Sequence, residues 1–376
     1  MRKNPDYKEL MKFYEGKRVL ITGHSGFKGS WLTRILIKSG AQVCGYSTGV
    51  PTNPSLFELA GLHELDGLKE YDADVRDLEA LKKAFNKFKP EIVFHLAAKS
   101  IVSYGYENPI DTYTTNLMGI MNILECVRTI GGVRSFLNVT SDKVYMDQAW
   151  EWGYREDDTL NGLDPYSNSK SCSELITHSY RCSFFKDERT RISTARAGNV
   201  IGGGDFAVNR IIPDCVRVAL SQDINKRQVI LRNPHSVRPY QHVLDPIFAY
   251  LLIAQAQYDD ARYVGSYNVG PIEADCVTTG DLADLFIEAW NSVSDKKMER
   301  IDKVDPNAPF ESNYVTLDCG RIQTVLGWRQ RWHIEKSIKE IVNFTNVLGV
   351  SIISDNRKII LEEMDRQIEE FVMRND

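Results

Sequence analysis

Residues 20–32 read LITGHSGFKGSWL: an apolar run stops in three glycines, Gly23, Gly26 and Gly29, and apolar residues then resume at helical spacing. Strand before and helix after place the glycines in the turn of a first βαβ unit. There one glycine lets the turn close and another lets a pyrophosphate approach the backbone. The third lets helix and strand pack closely, with the helix amino end facing the phosphates. The spacing is GxxGxxG rather than GxGxxG, so its context makes the dinucleotide reading, against an ordinary structural turn as the alternative.

Outward from this turn, short β-branched runs alternate with amphipathic segments. RVLITG (18–23), AQVCGYS (41–47), LKEYDADV (68–75), EIVFHLAA (91–98), VRSFLNVTS (133–141) and RISTARAG (191–198) read as strands. LEALKKAFNKF (78–88) and TTNLMGIMNILECVRTI (114–130) read as helices between them. This alternation predicts an α/β fold of Rossmann type, a doubly wound parallel sheet covered on both faces, and the change of rhythm after Asn199 predicts a smaller C-terminal lobe. Residues 17–199 are expected to form the dinucleotide-binding domain, with 244–272 returning to it; 200–243 and 273–334 form the lobe. The tail, 335–376, is helical by periodicity, and IILEEMDRQIEEFVMR (359–374) reads as an amphipathic helix for the body or a partner subunit.

The chain has 376 residues, 43% of them hydrophobic, enough for a substantial core. Its 46 basic and 51 acidic residues nearly balance at a net charge of -5, so no overall positive field exists for nucleic acid or an anionic membrane. Residues 1–16 contain no apolar stretch of signal-peptide length and no run is long enough to span a bilayer, so a cytoplasmic protein is expected. Seven scattered cysteines without a CxxC pair, and histidines without HExxH spacing, argue against a disulfide framework and a metal site.

The cofactor type is less sharply written. An acid at the end of the second strand usually binds the ribose 2′-OH of NAD, but Tyr46, Ser47 and Thr48 stand there and no arginine replaces it. This leans toward NAD and leaves NADP open. Lys28, inside the glycine turn, could meet a 2′-phosphate or be a solvated lysine at a helix start. Asp74, at the end of the third strand, could accept from the adenine amino group or serve as a turn residue.

DPYSNSKS (164–171) sets Tyr166 and Lys170 four residues apart on one helical face. A phenol of pKa about 10 is a poor base near neutrality, and a neighbouring ammonium favours its phenolate. Tyr166 could then take a proton from a sugar hydroxyl while Ser141, at a strand end, hydrogen-bonds the same oxygen and Lys170 steadies the cofactor ribose.

These features resemble the extended short-chain dehydrogenase/reductases, and the chain is similar along nearly its whole length to the CDP-glucose 4,6-dehydratases. The resemblance rests on GHSGFKGSW (23–31), PTNPSLFELA (51–60), VTSDKVY (139–145), WGYRE (152–156), DPYSNSK (164–170), RAGNVIGGGDFA (196–207), RNPHSVRP (232–239), QHVLDP (241–246) and LDCGRIQTVLGW (317–328). It implies a lyase that oxidises C4 of a hexose, eliminates water across C5 and C6 and returns the hydride to C6, with tightly bound, recycled NAD. In that chemistry the C4 ketone acidifies the C5 proton, a base removes it, and an acid protonates the departing C6 hydroxyl. By resemblance Asp142 is the acid and Lys143 the base, where dTDP-glucose dehydratases carry an Asp-Glu pair; Lys143 could instead only position substrate. Lysine serves as a base only when desolvated or near positive charge.

The resemblance also implies cofactor contacts at Gly23, His24, Ser25, Gly26, Phe27 and Gly29, at Asp74 and Val75, at Leu96, Ala97 and Ala98, and at Tyr166 and Lys170. It implies a nucleotide-sugar diphosphate held by Asn199, Arg210, Arg232 and Arg238, arginine suiting phosphate through its planar fork. Where the family reads AAQPLVRLSY after the fourth strand, this chain reads AAKSIVSYGY, so that Lys99 replaces a glutamine and Ser103 an arginine; Tyr240 replaces a tryptophan. Lys99 and Ser103 are therefore candidate substrate contacts, and the hexose and base are left open. The rivals are a 4-epimerase or another nucleotide-sugar dehydratase on the same scaffold, and a non-catalytic NAD-binding protein. The resemblance further implies deoxysugar synthesis for a surface polysaccharide and a homodimer or homotetramer, for which the apolar positions of 114–127 and 172–180 suit a helix interface or core packing equally.

Overall fold

The computed structural model describes residues 4–186, 189–223, 226–304 and 314–373. Seven parallel strands form the central sheet: β1 (Arg18–Thr22), β2 (Gln42–Ser47), β3 (Leu68–Asp72), β4 (Ile92–His95), β5 (Ser135–Val139), β6 (Arg191–Ala197) and β7 (Ser266–Val269). Their spatial order is β7-β6-β5-β4-β1-β2-β3, so β1 pairs with both β4 and β2 and the chain reverses direction across the sheet beside it. Alternate side chains of β1 enter opposite cores. Val19 and Ile21 pack with Trp31 and Ile35 of α2 (Phe27–Lys38), while Leu20 packs with Leu81 and Phe85 of α3 (Leu78–Phe88). Burial on both faces is why the strands read as continuous apolar runs.

Helix α3 begins and ends where its 3.6-residue stripe does, with Asp77 capping it by accepting from the Ala80 nitrogen at 2.9 Å. The 114–130 segment is helical too, but opens with a π turn at Thr114–Met118 before α4 (Gly119–Ile130). Helix α5 (Pro165–Phe184) starts with Pro165 at its first position and Asp164 capping the Ser167 nitrogen. Two short helices, Val102–Glu107 and Pro109–Tyr113, were not legible, because glycine and an Asn-Pro step interrupt any stripe. They form against α5: a Cβ on Gly105 would stand 3.2 Å from the Tyr166 nitrogen. Nor was the helix Tyr7–Phe13 legible in the charged amino-terminal stretch; Tyr7 stacks on Phe248 at 4.7 Å.

After Asn199 the chain builds small two-stranded pairings, Gln228–Leu231 with Glu299–Asp302 and Val237–Pro239 with Cys276–Thr278, beside the helices α6 (Ile211–Leu220) and α8 (Thr279–Val293). Between these comes α7 (Leu244–Asp259), buried along most of its length against the sheet, and then β7 pairs with β6. The tail forms α9 (Ile334–Ser354) and α10 (Lys358–Met373), and α10 lies on the body of this chain. Arg34 of α2 pairs with Asp365, and Lys38 with Glu369 at 2.7 Å. Residues 187–188 of the expected dinucleotide-binding domain, 224–225 and 305–313 of the expected lobe and the last residues of the expected tail lie outside the described residues. No described helix is long and apolar enough to cross a membrane, and no cluster of metal-ligating side chains occurs among the described residues.

Candidate active site

The site lies at the carboxyl ends of the strands, where α/β sheets bind ligands. Gly23 has φ +74°, and a Cβ there would sit 2.8 Å from the Ala97 nitrogen; one on Gly29 would strike the Gly23 carbonyl oxygen at 2.1 Å. The chain's own packing therefore requires these two glycines. Gly26, at the amino end of α2, is different: a Cβ there would meet only the Gly23 oxygen, at 3.4 Å. That open space, at a helix start that no side chain caps, is a cradle for a diphosphate.

The neighbouring side chains divide by role. His24 turns away toward the sheet, its Nε2 2.9 Å from Glu70 and its Nδ1 3.1 Å from Ser47, filling the space that a Cβ on Gly45 would occupy. The Ser25 hydroxyl donates to the Gly49 carbonyl at 2.5 Å and meets the Ser47 hydroxyl at 2.8 Å. Hydroxyls thus line the place where an acid is usual. Asp74 accepts from the Arg76 guanidinium and backbone, which hold its carboxyl below its ordinary range, and Arg76 also reaches Asp111 at 2.8 Å. Val75 is buried against Gly119, and the Leu96 and Ala97 nitrogens donate to the Thr22 carbonyl and hydroxyl, setting Leu96, Ala97 and Ala98 beside the glycine turn. Phe27, half-buried, packs toward Gly202.

At the centre, Tyr166, Ser141 and Asp142 are buried and Lys143 half-buried. The Ser141 hydroxyl donates to Asp142 Oδ1 at 2.9 Å, accepts the Lys143 N–H at 3.2 Å, and is a side-chain hydrogen-bond partner of the Tyr166 phenol. Asp142 Oδ2 is buried with no hydrogen-bond partner among the described residues. Burial pushes the Asp142 carboxyl up, opposed by Lys143, Ser141 and Arg238. It also pushes Tyr166 up to about 12. The phenolate is thus not the resting form: burial is the largest influence on the phenol, and Ser141 and Arg210 only partly offset it. Lys170 is lowered to about 7, by burial first and then by the charge of Lys28.

The segment carrying these groups is tied to α5 along its length. Lys170 Nζ donates to the Val139 carbonyl at 3.1 Å, Thr140 to Glu174 at 2.5 Å, and Ser171 to the Val144 carbonyl at 2.7 Å. Glu174 is paired at 3.0 Å with Arg196, which also reaches the Tyr145 hydroxyl at 2.8 Å. Glu174 and Arg196 were missed, although Glu174 follows Lys170 by the spacing that separates Lys170 from Tyr166.

Lys28 is not a solvated helix-start lysine. Its ammonium lies 5.9 Å from the centre of the Tyr250 ring, and burial, then Arg210, lowers it to about 8 against the pull of Asp142 and Asp205. Residue type alone hid this, because only the packing of α2 places the side chain against Tyr250. Arg238 is buried and lines the same cavity as Asp142, Lys143 and Ser167. Arg210 is half-exposed, 3.6 Å from Asp205, with Asn199 nearby in sequence half-buried. Arg232 is exposed and donates to Asn209, whose amide reaches the Ser103 hydroxyl at 3.4 Å. Lys99 pairs with Asp111 at 3.2 Å, and the buried Tyr240 hydroxyl meets that of Thr279 at 3.0 Å.

Residues 20–341 match the family model described as GDP-mannose 4,6 dehydratase. The chain is 43% identical over 338 residues to the CDP-glucose 4,6-dehydratase of Salmonella typhimurium, covering 88% of this chain and 91% of that protein. It is 25% identical over 351 residues to a probable dTDP-glucose 4,6-dehydratase of Sinorhizobium fredii, covering 87% and 92%. Among solved structures, the dTDP-glucose 4,6-dehydratase of Streptomyces venezuelae with NAD bound superposes with a TM-score of 0.72 at 20% identity, covering 88% of this chain and 97% of that one. A UDP-glucose 4-epimerase of Stenotrophomonas maltophila superposes at 0.75 and 20% identity, covering 89% and 99%. At those identities the structures establish the shared fold.

Proposed function

Because the chain belongs to the GDP-mannose 4,6 dehydratase family, we propose that it is an NAD-dependent lyase that converts CDP-D-glucose to CDP-4-keto-6-deoxy-D-glucose. The observation that carries this reading is the buried Asp142 carboxyl, one oxygen without a hydrogen-bond partner among the described residues, adjoining Lys143 beside Ser141 and Tyr166. Oxidising and re-reducing C4, as a 4-epimerase does, needs no acid for a departing hydroxyl and no base for C5. A dehydratase needs both.

The turn at Gly23, Gly26 and Gly29 fits a dinucleotide, its diphosphate in the Gly26 cradle. NAD, when bound, supplies the acceptor that takes hydrogen from C4 and returns it at C6. The chain's residues do the rest. Tyr166 takes the C4 hydroxyl proton while Ser141 hydrogen-bonds that oxygen. Asp142, whose burial favours its protonated form, gives a proton to the C6 hydroxyl, and Lys143 takes the C5 proton and later returns it. Arg238, buried beside Asp142, and Arg210 supply positive charge for the sugar diphosphate, with Asn199 as an amide partner. Arg232 and Ser103 bear on the substrate through Asn209, and Lys99 through the loop it braces with Asp111.

NMR of the purified protein with CDP-glucose, beside parallel dTDP-, GDP- and UDP-glucose tubes, tests the reading. A 4-keto-6-deoxy product from CDP-glucose without net NADH is expected. Product from another tube would move the nucleotide, an epimer would remove the roles of Asp142 and Lys143, and no turnover in any tube would favour a binding protein.

A further inference from the structure

The catalytic turn is held at both ends by one buried ion pair. On the amino side of Ser141, the Thr140 hydroxyl donates to Glu174 Oε1 at 2.5 Å. On the carboxyl side of Lys143, Arg196 Nη1 donates to the Tyr145 hydroxyl at 2.8 Å. Arg196 Nη2 meets Glu174 Oε2 at 3.0 Å and closes the ring. The Tyr145 hydroxyl gives its own hydrogen to Asn268 Oδ1 at 2.6 Å, and Asn268 is fixed by donating to the Tyr154 and Asp318 carbonyls. None of Thr140, Tyr145, Glu174, Arg196 and Asn268 is more than 5% exposed.

Stability alone is a weak reason for such a ring. Desolvation offsets most of the Coulomb energy of a buried ion pair, whereas a buried polar network enforces one geometry. What lies inside the ring is a single 3₁₀ turn, Asp142–Val144, too short to hold its own shape. Its two ends are tied separately. Beside Ser141, the Thr140 nitrogen donates to the Ala195 carbonyl at 2.9 Å and Lys170 to the Val139 carbonyl at 3.1 Å. Beyond Lys143, the Tyr145 ring stacks on Tyr154 at 5.1 Å, and both rings line the cavity that holds Asp142 and Lys143.

Resting on the dehydratase reading, we propose that the Glu174–Arg196 pair is a clasp that positions the catalytic turn for two successive steps. Through Thr140 it sets Ser141 against the C4 oxygen, and through Tyr145 it sets Lys143 against the C5 proton. Glu174, Arg196, Thr140 and Tyr145 are positioning residues; the protons move at Tyr166, Asp142 and Lys143. Opening the clasp at one end slows the step that end serves. Losing the Tyr145 hydroxyl leaves the Thr140 contacts in place, so C4 is still oxidised while the base drifts from C5. Losing the Thr140 hydroxyl displaces Ser141 and slows the oxidation itself. A misplacement of about 1 Å is enough to cost up to about 100-fold in rate.

The test removes each hydroxyl conservatively, as Tyr145→Phe and Thr140→Val, in the holoenzyme with CDP-glucose. Rapid-mixing absorbance follows bound NADH, and NMR follows the 4-keto-6-deoxy product. For Tyr145→Phe, NADH forms within about threefold of the wild-type rate and accumulates, while product formation falls about tenfold. For Thr140→Val, NADH formation itself falls about tenfold and none accumulates. The control is Thr194→Val, which removes a hydroxyl donating to the same Glu174 at 2.8 Å from outside the turn. It lowers the urea midpoint as the other two do and keeps the wild-type ratio of the two rates. The clasp is overturned if Tyr145→Phe slows both steps alike, if either turn variant works at wild-type rates, or if Thr194→Val reproduces their patterns. A wild-type protein that forms no product from CDP-glucose would instead remove the dehydratase reading, and the clasp with it.

Discussion

Tyr166 and Lys170 are pushed in opposite directions by burial, and both toward neutrality, which gives the site a measurable pH signature. Lys170 drops from an ordinary 10.5 to about 7 in the ligand-free fold. Between those values the unfolded chain holds a proton that the folded one lacks, so stability rises with pH across roughly that window. Urea denaturation of wild type and Lys170→Met should differ by a term that grows by about 1 kcal/mol per pH unit from pH 7 to 10. A flat difference would mean that the ammonium stays charged. Lys143 makes its prediction in catalysis: Lys143→Met should bind NAD and sugar nucleotide as wild type does, by calorimetry, while dehydration measured by NMR falls about 100-fold or more. Undiminished dehydration would take lysine out of the mechanism.

Helix α5 is the element that turns separate residues into a site. Its repeat presents Tyr166, Lys170 and Glu174 on one side, and that side faces the end of β5 where Ser141, Asp142 and Lys143 emerge. The Glu174–Arg196 pair is buried on both partners, whereas Lys38–Glu369 lies at the surface. Removing one member of a buried pair strands a charge, so Glu174→Ala should cost about 3–5 kcal/mol by chemical denaturation. Glu369→Ala should cost under about 1 kcal/mol. Comparable values for the two would mean that water reaches the pair beneath the catalytic segment.

Across the whole molecule, distant pieces of chain close a single core around α7. Phe371 from the tail packs 5.0 Å from Phe248 and 5.3 Å from Trp332, with Tyr7 of the amino-terminal helix at 5.8 Å, and Arg331 donates to the Phe371 carbonyl at 2.7 Å. Phe371→Ala should therefore lower stability by about 3–5 kcal/mol while leaving activity per folded molecule unchanged. A loss below about 1 kcal/mol, read from denaturation midpoints, would show the tail to be dispensable to the core.

The sequence by itself determined what depends on local order. Strand, turn and helix at 18–38, the period of 78–88, and the four-residue step from Tyr166 to Lys170 all survive as written, because neighbours in sequence fix them. Tertiary structure alone decided what depends on direction and burial. Lys28 points into the site, His24 points out of it to Glu70, the broken stretch 102–113 becomes helical against α5, and the Tyr166 phenol is kept protonated. Each depends on atoms far along the chain, since the cost of desolvating a charge and the space left for a side chain are set by whatever the fold packs beside it.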